Sequence, residues 1–220
     1  MTGRFAPEHD ALARVAGASL DAAPERDCHG RIGPNAIVRV AEALEARLGA
    51  QVARSLFESA GLLRHWTHPP ADMVNESDVA CLQAALRAAL GADLARFIAR
   101  DAGRRTGDYL LAHRIPRPAQ RLLGLLPPPL AARALARAIA RHAWTFAGSG
   151  TFAFAPGRPF RLSIAGCPLC RDIRAEAPAC DYYAATFERI FRALASPRAR
   201  VTETACQAAG AAACVFAVAW

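Results

Sequence analysis

The chain has 220 residues, 53% of them hydrophobic, and this share excludes an intrinsically disordered protein and allows a sizeable core. No apolar run is long enough to span a membrane and the amino terminus lacks a signal peptide, so we expect a cytoplasmic protein. The formal net charge is +8 and every basic residue is arginine, but the arginines are scattered instead of clustered, which argues against a nucleic-acid partner.

The first two-thirds of the sequence is predicted to be mainly helical. Residues 1–27 are polar and irregular and are interpreted as an arm, whereas residues 28–220 are predicted to form a single domain. Apolar residues at helical spacing predict a helix that starts at 32–35 and ends at Gly49, a second over 52–61, and a third from an N-cap cluster at 75–78 to Leu111. A short helix over 118–126 and a longer one over 128–142 follow, separated by three prolines.

The last third is predicted to contain strands and one helix. Residues 145–154 and 160–166 have the composition of two strands with a Pro-Gly turn between them. Residues 181–195 are predicted to form a helix, and residues 200–206 and 214–220 a closing hairpin. This order predicts an α+β fold, with a helical N-terminal part followed by an antiparallel sheet with one packed helix.

Five of the seven cysteines lie in the C-terminal part, residues 160–220: Cys167, Cys170, Cys180, Cys206 and Cys214. The first two form a CxxC pair, and the last two flank a hairpin turn. Cys180 lies at the start of a helix, a position that lowers the pKa of a thiol. Because three elements converge, we expect a structural metal site holding zinc. Two alternatives are small buried apolar residues and a redox dithiol at CPLC. Cys81, farther upstream, is expected in the core.

The stretches CDYYAATFERIF and VTETACQAAGAAACVFAV resemble the end of the 4-vinyl reductase domain, a small-molecule-binding module related in fold to subunits of the TRAPP transport complex. In sensor members of this family, cysteines equivalent to Cys180, Cys206 and Cys214 hold zinc. The resemblance leaves the fourth ligand to Cys167 or Cys170. It extends upstream through IGPNAIVRVAEAL and GRRTGDYLLAHRIPRPAQRLL, to about residue 28.

The resemblance implies a role in bacteriochlorophyll biosynthesis, where the 8-vinyl group of divinyl protochlorophyllide or chlorophyllide is reduced. The sequence contains no GxGxxG opening a βα unit, so nothing in it indicates a nicotinamide or flavin site. We therefore expect a carrier or accessory factor that binds a Mg-tetrapyrrole. An 8-vinyl reductase is the alternative, and the catalytic residues are unassigned.

A Mg-tetrapyrrole is a wide apolar disc with a carboxylate and a central metal, so its site needs apolar walls, an arginine and an axial ligand. The candidate axial ligand is His142, at the end of a helix. The candidate walls are Trp144, Phe146 and Tyr182, and Arg105 is the candidate partner of the propionate. Each of these residues also has an ordinary interpretation as a core or surface residue.

The helix over 128–142 carries an arginine at every fourth residue from Arg133 to Arg141, and RLLGLLPPPL precedes it. This pattern allows contact with an anionic membrane surface, so that the protein would be peripheral to the photosynthetic membrane. The pattern favours the ordinary interpretation, a core-facing helix with a basic outer face. The other expected partners are enzymes of bacteriochlorophyll biosynthesis and a second copy of the chain in a homodimer.

Overall fold

The computed structural model of the chain describes residues 30–220. The arm predicted over residues 1–27, together with Cys28, lies outside the described residues. The grouping of residues 28–220 into one domain stays a prediction. Within the described part, no helix has both the length and the apolar character that crossing a membrane requires.

The first part of the described chain is helical, as the apolar periodicity predicts. Its helices are α1 (Asn35–Leu48), α2 (Ala50–Ser59), α3 (Leu63–Thr67), α4 (Glu76–His113), α5 (Arg117–Gly124), α6 (Pro128–Arg141) and α7 (Trp144–Ala147). A short antiparallel pair, β1 (Arg31–Ile32) and β2 (Val74–Asn75), lies beside them. The Asn75 side chain accepts a hydrogen bond from the backbone N–H of Ser77 and so caps α4, as expected.

The last part contains a four-stranded antiparallel sheet and the helix α8 (Asp181–Leu194). The strands are β3 (Thr151–Ala155), β4 (Phe160–Ala165), β5 (Arg200–Ala205) and β6 (Cys214–Ala219), in the order β3-β4-β6-β5. The predicted closing hairpin therefore joins the sheet through β6, which pairs with β4. A helical first part followed by this sheet confirms the α+β prediction.

Helix α8 covers one face of the sheet. Alternate residues of β4 and β6 are buried on that face, while the residues between them are half-buried or exposed. Aromatic rings fill the interface: the centroids of Phe187 and Phe216 are 5.4 Å apart, and those of Phe160 and Phe191 are 6.2 Å apart. Burial of these rings is the main stabilising contribution of the interface, because each removes a large apolar area from water.

The other side of α8 packs closely against the second half of α4. A Cβ atom added at Gly103 would lie 2.3 Å from the backbone oxygen of Tyr182, so the contact requires glycine. The Thr186 hydroxyl donates to the Gly103 oxygen over 3.1 Å, and the hydroxyls of Thr106 and Tyr182 are 2.8 Å apart. Helix α8 is therefore held between α4 and the sheet.

Local predictions differ from the structure at several points. Residues 145–147, predicted as strand, belong to α7, and β3 begins only after Gly148, whose φ of 59° turns the chain. Helix α4 contains a non-helical residue at Gly91. Cys81 is exposed and not in the core, because it lies two residues, about 200° around the helix, from the buried Val79.

Glu76, the first residue of α4, connects the helical part to the loops on either side of β3 and β4. Its carboxylate accepts hydrogen bonds from the backbone N–H of Ser149 over 2.8 Å and from the Ser149 hydroxyl over 2.6 Å, and it pairs with the guanidinium of Arg171. Burial opposes ionisation of Glu76, but the bonds from Arg171 and Ser149 outweigh it and lower its pKa.

We predict that Glu76→Gln lowers the free energy of unfolding by about 1–3 kcal/mol at pH 7, because the substitution removes a charged hydrogen-bond acceptor. Since the folded-state pKa is depressed, the stabilisation is fully present above the ordinary value of 4.5 and is lost as the pH falls through the folded-state pKa. Urea unfolding at a series of pH values measures the difference. Glu45→Gln, at an exposed position of α1, is the control, and an equal effect of the two substitutions would contradict this role.

Candidate metal centre and ligand-binding residues

The structure brings the five C-terminal cysteines together, although they lie on separate elements. Cys167 and Cys170 bracket a short turn after β4, and Cys180 immediately precedes α8. Cys206 follows β5, and Cys214 begins β6. None of the five side chains is more than 1% exposed.

The distances between the sulfur atoms suit one tetrahedral ion. They are 3.5 Å for Cys167 with Cys180 and for Cys170 with Cys214, 3.6 Å for Cys180 with Cys214, 3.8 Å for Cys206 with Cys214, and 3.9 Å for Cys180 with Cys206. A tetrahedral ion with metal–sulfur bonds of about 2.3 Å separates its sulfur ligands by about 3.8 Å. The buried cysteines could therefore hold a metal ion.

The cluster contains two sets of four possible ligand atoms. Within each set, all four atoms lie within 4.8 Å of one another. One set is Cys167, Cys170, Cys180 and Cys214, and the other is Cys180, Glu203, Cys206 and Cys214. Cys180 and Cys214 belong to both sets, so they are ligands in either arrangement. Cys206, which the family resemblance places beside them, is in the set that uses the Glu203 carboxylate and not in the set that uses the CxxC pair.

The thiols strongly affect one another's ionisation. Hydrogen bonds with the other cysteines of the cluster lower the pKa of Cys170 far below its usual range, and the bond with Cys167 has the largest effect. Hydrogen bonds with the same neighbours, together with burial, raise the pKa of Cys180 well above its usual range. Buried thiolates repel one another, so a bound cation is what allows all the ligands of such a site to be ionised together.

Two polar residues that sequence reasoning missed support the cluster. Burial raises the pKa of Glu203 to about 8, and its carboxylate accepts a hydrogen bond from the backbone N–H of Cys180 over 2.7 Å. The side-chain oxygen of Gln207 accepts from the backbone N–H of Cys167 over 2.7 Å. Glu203 had a detectable signal, since it occupies the same strand face as the apolar Val201.

His142, Trp144 and Phe146 lie together at the end of α6 and in α7. His142 and Trp144 are exposed, and Phe146 is half-buried. The Phe146 ring contacts Phe152 and Tyr183, with centroid distances of 5.5 Å and 5.9 Å.

Tyr182 and Arg105 lie elsewhere. Tyr182 is at the contact between α8 and α4, and Arg105 is on α4 beside Asp101, which also binds Arg47 of α1. Tyr182 is buried, and burial raises the pKa of its hydroxyl, which is hydrogen-bonded to Thr106. The guanidinium of Arg105 lies 3.3 Å from the carboxylate of Asp101. The roles of these two residues and of His142, Trp144 and Phe146 in ligand binding stay predictions.

The part of the chain that contains β4 to β6, α8 and the cysteine cluster matches the V4R domain family over residues 160–219. The chain is also 46% identical over 186 residues to the bacteriochlorophyll synthase 23 kDa chain of Cereibacter sphaeroides, covering 84% of this chain and 89% of that protein. It is 40% identical over 196 residues to the protein of the same name from Rhodobacter capsulatus, covering 88% and 89%.

These matches confirm the resemblance seen in the sequence, and they define a V4R-domain protein. The chain belongs to the family of the bacteriochlorophyll synthase 23 kDa chains.

We predict that Cys214→Ser removes the bound metal, because Cys214 belongs to both possible ligand sets. Elemental analysis of the purified chain should then fall from about one ion per chain to near zero. A loss of about 3 kcal/mol of stability would lower the thermal midpoint by roughly 6–12 °C. The control is Cys81→Ser, at an exposed position of α4, which should keep the metal. Equal metal content in the two variants would exclude Cys214 as a ligand.

Proposed function

We propose that this chain acts in bacteriochlorophyll biosynthesis as a carrier or accessory factor that binds a Mg-tetrapyrrole. The proposed ligand is divinyl or monovinyl protochlorophyllide or chlorophyllide, at the stage of 8-vinyl reduction. Membership of a family whose members are named bacteriochlorophyll synthase 23 kDa chain supports the role in this biosynthesis, and so does the V4R domain. Such a factor works alongside the other biosynthetic enzymes, and a homodimer stays a prediction.

The geometry of His142 is the observation that carries the proposed ligand. Its Nδ1 atom lies 2.9 Å from the backbone oxygen of Ala138, and a carbonyl oxygen can only accept, so Nδ1 carries the proton. The neutral imidazole then has its lone pair on Nε2. A histidine that binds a metal is typically oriented by a hydrogen bond from its other ring nitrogen in this way. The exposed ring of His142 is thus prepared to bind the central Mg of a tetrapyrrole.

Aromatic side chains beside His142 support the same ligand. Trp144 is half exposed, and Phe146 rests on a cluster that includes Phe152 and Phe187, with ring centroids 5.5 Å and 6.0 Å away. An exposed indole and a partly exposed phenyl ring two residues along the chain offer the apolar contacts that such a disc needs. The pigment's macrocycle would lie against Trp144 and the exposed part of Phe146.

Arg105 remains the proposed partner of the propionate, and its surroundings support this role. The carboxylate of Asp101 is shared among three guanidinium groups, those of Arg47, Arg104 and Arg105, at 3.2–3.3 Å. One carboxylate cannot neutralise three arginines, so the group keeps a positive excess. An external carboxylate could therefore bind one of these guanidinium groups in a bidentate manner. Tyr182, buried and hydrogen-bonded to Thr106 of α4, would act by positioning α4 against α8.

We propose zinc as the metal of the cysteine cluster. Zinc prefers tetrahedral thiolate ligation, and a site closed by four protein ligands is structural instead of catalytic. The burial of all five cysteines supports a structural role, since no ligand position faces solvent. The ion would join the turn after β4, the start of α8 and the β5–β6 hairpin, and so hold the V4R part of the chain together.

The alternative is an 8-vinyl reductase, and the word synthase in the relatives' name favours an enzyme. Reduction of a vinyl to an ethyl group needs two electrons and two protons. A protein that supplies them needs a hydride or electron carrier, and the sequence has no nicotinamide or flavin motif. The carrier proposal needs no such group, and for that reason we prefer it.

We predict that His142→Ala weakens binding of divinyl protochlorophyllide by about tenfold or more, which corresponds to about 1.4 kcal/mol. The absorption and fluorescence of the pigment, titrated with the purified full chain, measure the affinity. The control is His68→Ala, which removes an exposed imidazole at the end of α3. If both variants bind as the wild type does, the pigment does not use His142.

The same titration separates the carrier from the reductase. After binding, we would add NADPH or reduced ferredoxin and follow the 8-vinyl group by chromatography and mass spectrometry. Bound pigment that stays unreduced is the expected result. Conversion to the monovinyl form by this chain alone would establish the reductase instead, and a chain that binds no tetrapyrrole would contradict both proposals.

A further inference from the structure

Acidic residues are missing from a long segment in the middle of the chain. No aspartate or glutamate occurs between Asp108 and Asp172, whereas this segment contains nine arginines. Its formal net charge is therefore +9, and the remainder of the chain, with 18 arginines and 19 acidic residues, has a net charge of −1. The basic character of the whole protein thus comes from one segment, which includes α5 and α6.

The same two helices and the link between them expose three leucines. Leu122 is 63% exposed, Leu125 is 82% exposed and Leu130 is 50% exposed. A single exposed leucine is ordinary, but several within nine residues are characteristic of a binding surface. We refer to these leucines and the arginines of α5 and α6 as the leucine–arginine surface, and its members are Arg117, Arg121, Leu122, Leu125, Leu130, Arg133, Arg137 and Arg141.

On α6 these residues lie on a single outward stripe. Ala131, Ala132, Leu135 and Ala136 are buried against the rest of the protein. Leu130 and the three arginines that follow it recur every three or four residues, so they occupy the opposite side of the helix over three turns.

The charges on this surface are also unpaired within the described residues. Each of its five arginines is exposed, and among residues 30–220 none of them makes a salt bridge. This differs from the arginines of α4, several of which contact Asp101 or Asp181. The guanidinium groups of the leucine–arginine surface are therefore available to external anions.

We propose that the leucine–arginine surface binds the surface of an anionic lipid bilayer, with α5 and α6 lying in the plane of the membrane. Leucines interspersed with arginines match the two layers of a bilayer interface, since the leucines enter the acyl boundary and the guanidinium groups bind lipid phosphates. An interface with another protein usually has few charges at its centre, whereas exposed arginines adjoin the leucines of this surface on both sides along the chain. The charge of the segment is complementary to an anionic leaflet.

Vesicle co-sedimentation of the purified full chain tests the proposal. The probes are phosphatidylcholine vesicles, with and without about one-third phosphatidylglycerol, at moderate salt. We expect binding to the anionic vesicles, weakened by added salt, and little binding to the neutral ones. The triple variant Arg133→Gln, Arg137→Gln and Arg141→Gln should reduce affinity for the anionic vesicles on the order of 100-fold, at about fivefold per arginine.

The matched control removes the same charge elsewhere, at three exposed arginines: Arg54→Gln, Arg192→Gln and Arg200→Gln. It should keep vesicle affinity within about twofold, since these arginines lie outside the surface. The double variant Leu122→Ser and Leu125→Ser, with the charge unchanged, should also lose affinity. Equal loss in the two triple variants would show non-specific attraction and overturn the proposal. A wild-type chain that binds neither kind of vesicle would overturn it as well, and would leave an acidic protein as the partner of this surface.

Discussion

The contact between the sulfur atoms of Cys180 and Cys214, 3.6 Å apart, joins the start of α8 to the start of β6. Cys180 immediately precedes α8, and α8 packs on the sheet through Phe187 and on α4 at Gly103. Because both contacts depend on the position of one helix, a change at the thiol cluster would be transmitted to both faces of α8. A buried group of thiols is also costly to ionise without a cation, so binding of a metal ion by this cluster would be coupled to the folding of this part.

Two buried acidic residues lie at contacts between the parts of this fold. Glu76 links the start of α4 to Ser149 and Arg171, and Asp181 at the start of α8 lies 3.5–4.0 Å from three arginines of α4. These carboxylates are buried, and each is surrounded by basic groups that compensate the cost of burial. The acid-free segment is left with its positive charge exposed on α5 and α6. The buried carboxylates thus have arginine partners, whereas the arginines of α5 and α6 make no salt bridge among residues 30–220.

The sequence predicted most of the elements, because their patterns are local. Helices α1, α4, α6 and α8 follow from apolar residues at helical spacing, and the closing hairpin follows from alternating strands around a turn of small residues. Errors occurred where a single residue changed the backbone direction. Gly148 separates α7 from β3, and Gly91 interrupts α4. At both positions the positive φ of glycine is a conformation that the periodicity of neighbouring side chains does not reveal.

By itself, the sequence determined the α+β class, the family and the five thiols that could meet at a metal, since residue type, spacing and order carry this information. Only the tertiary structure decided that β6 pairs with β4 and that Glu203 and Gln207 support the cluster. It also decided which sets of ligand atoms lie close enough to share an ion, and that the leucines of α5 and α6 are exposed. The physical reason is that these features depend on distances between segments far apart in the chain, or on which side of a helix the rest of the protein covers, and local patterns do not specify either.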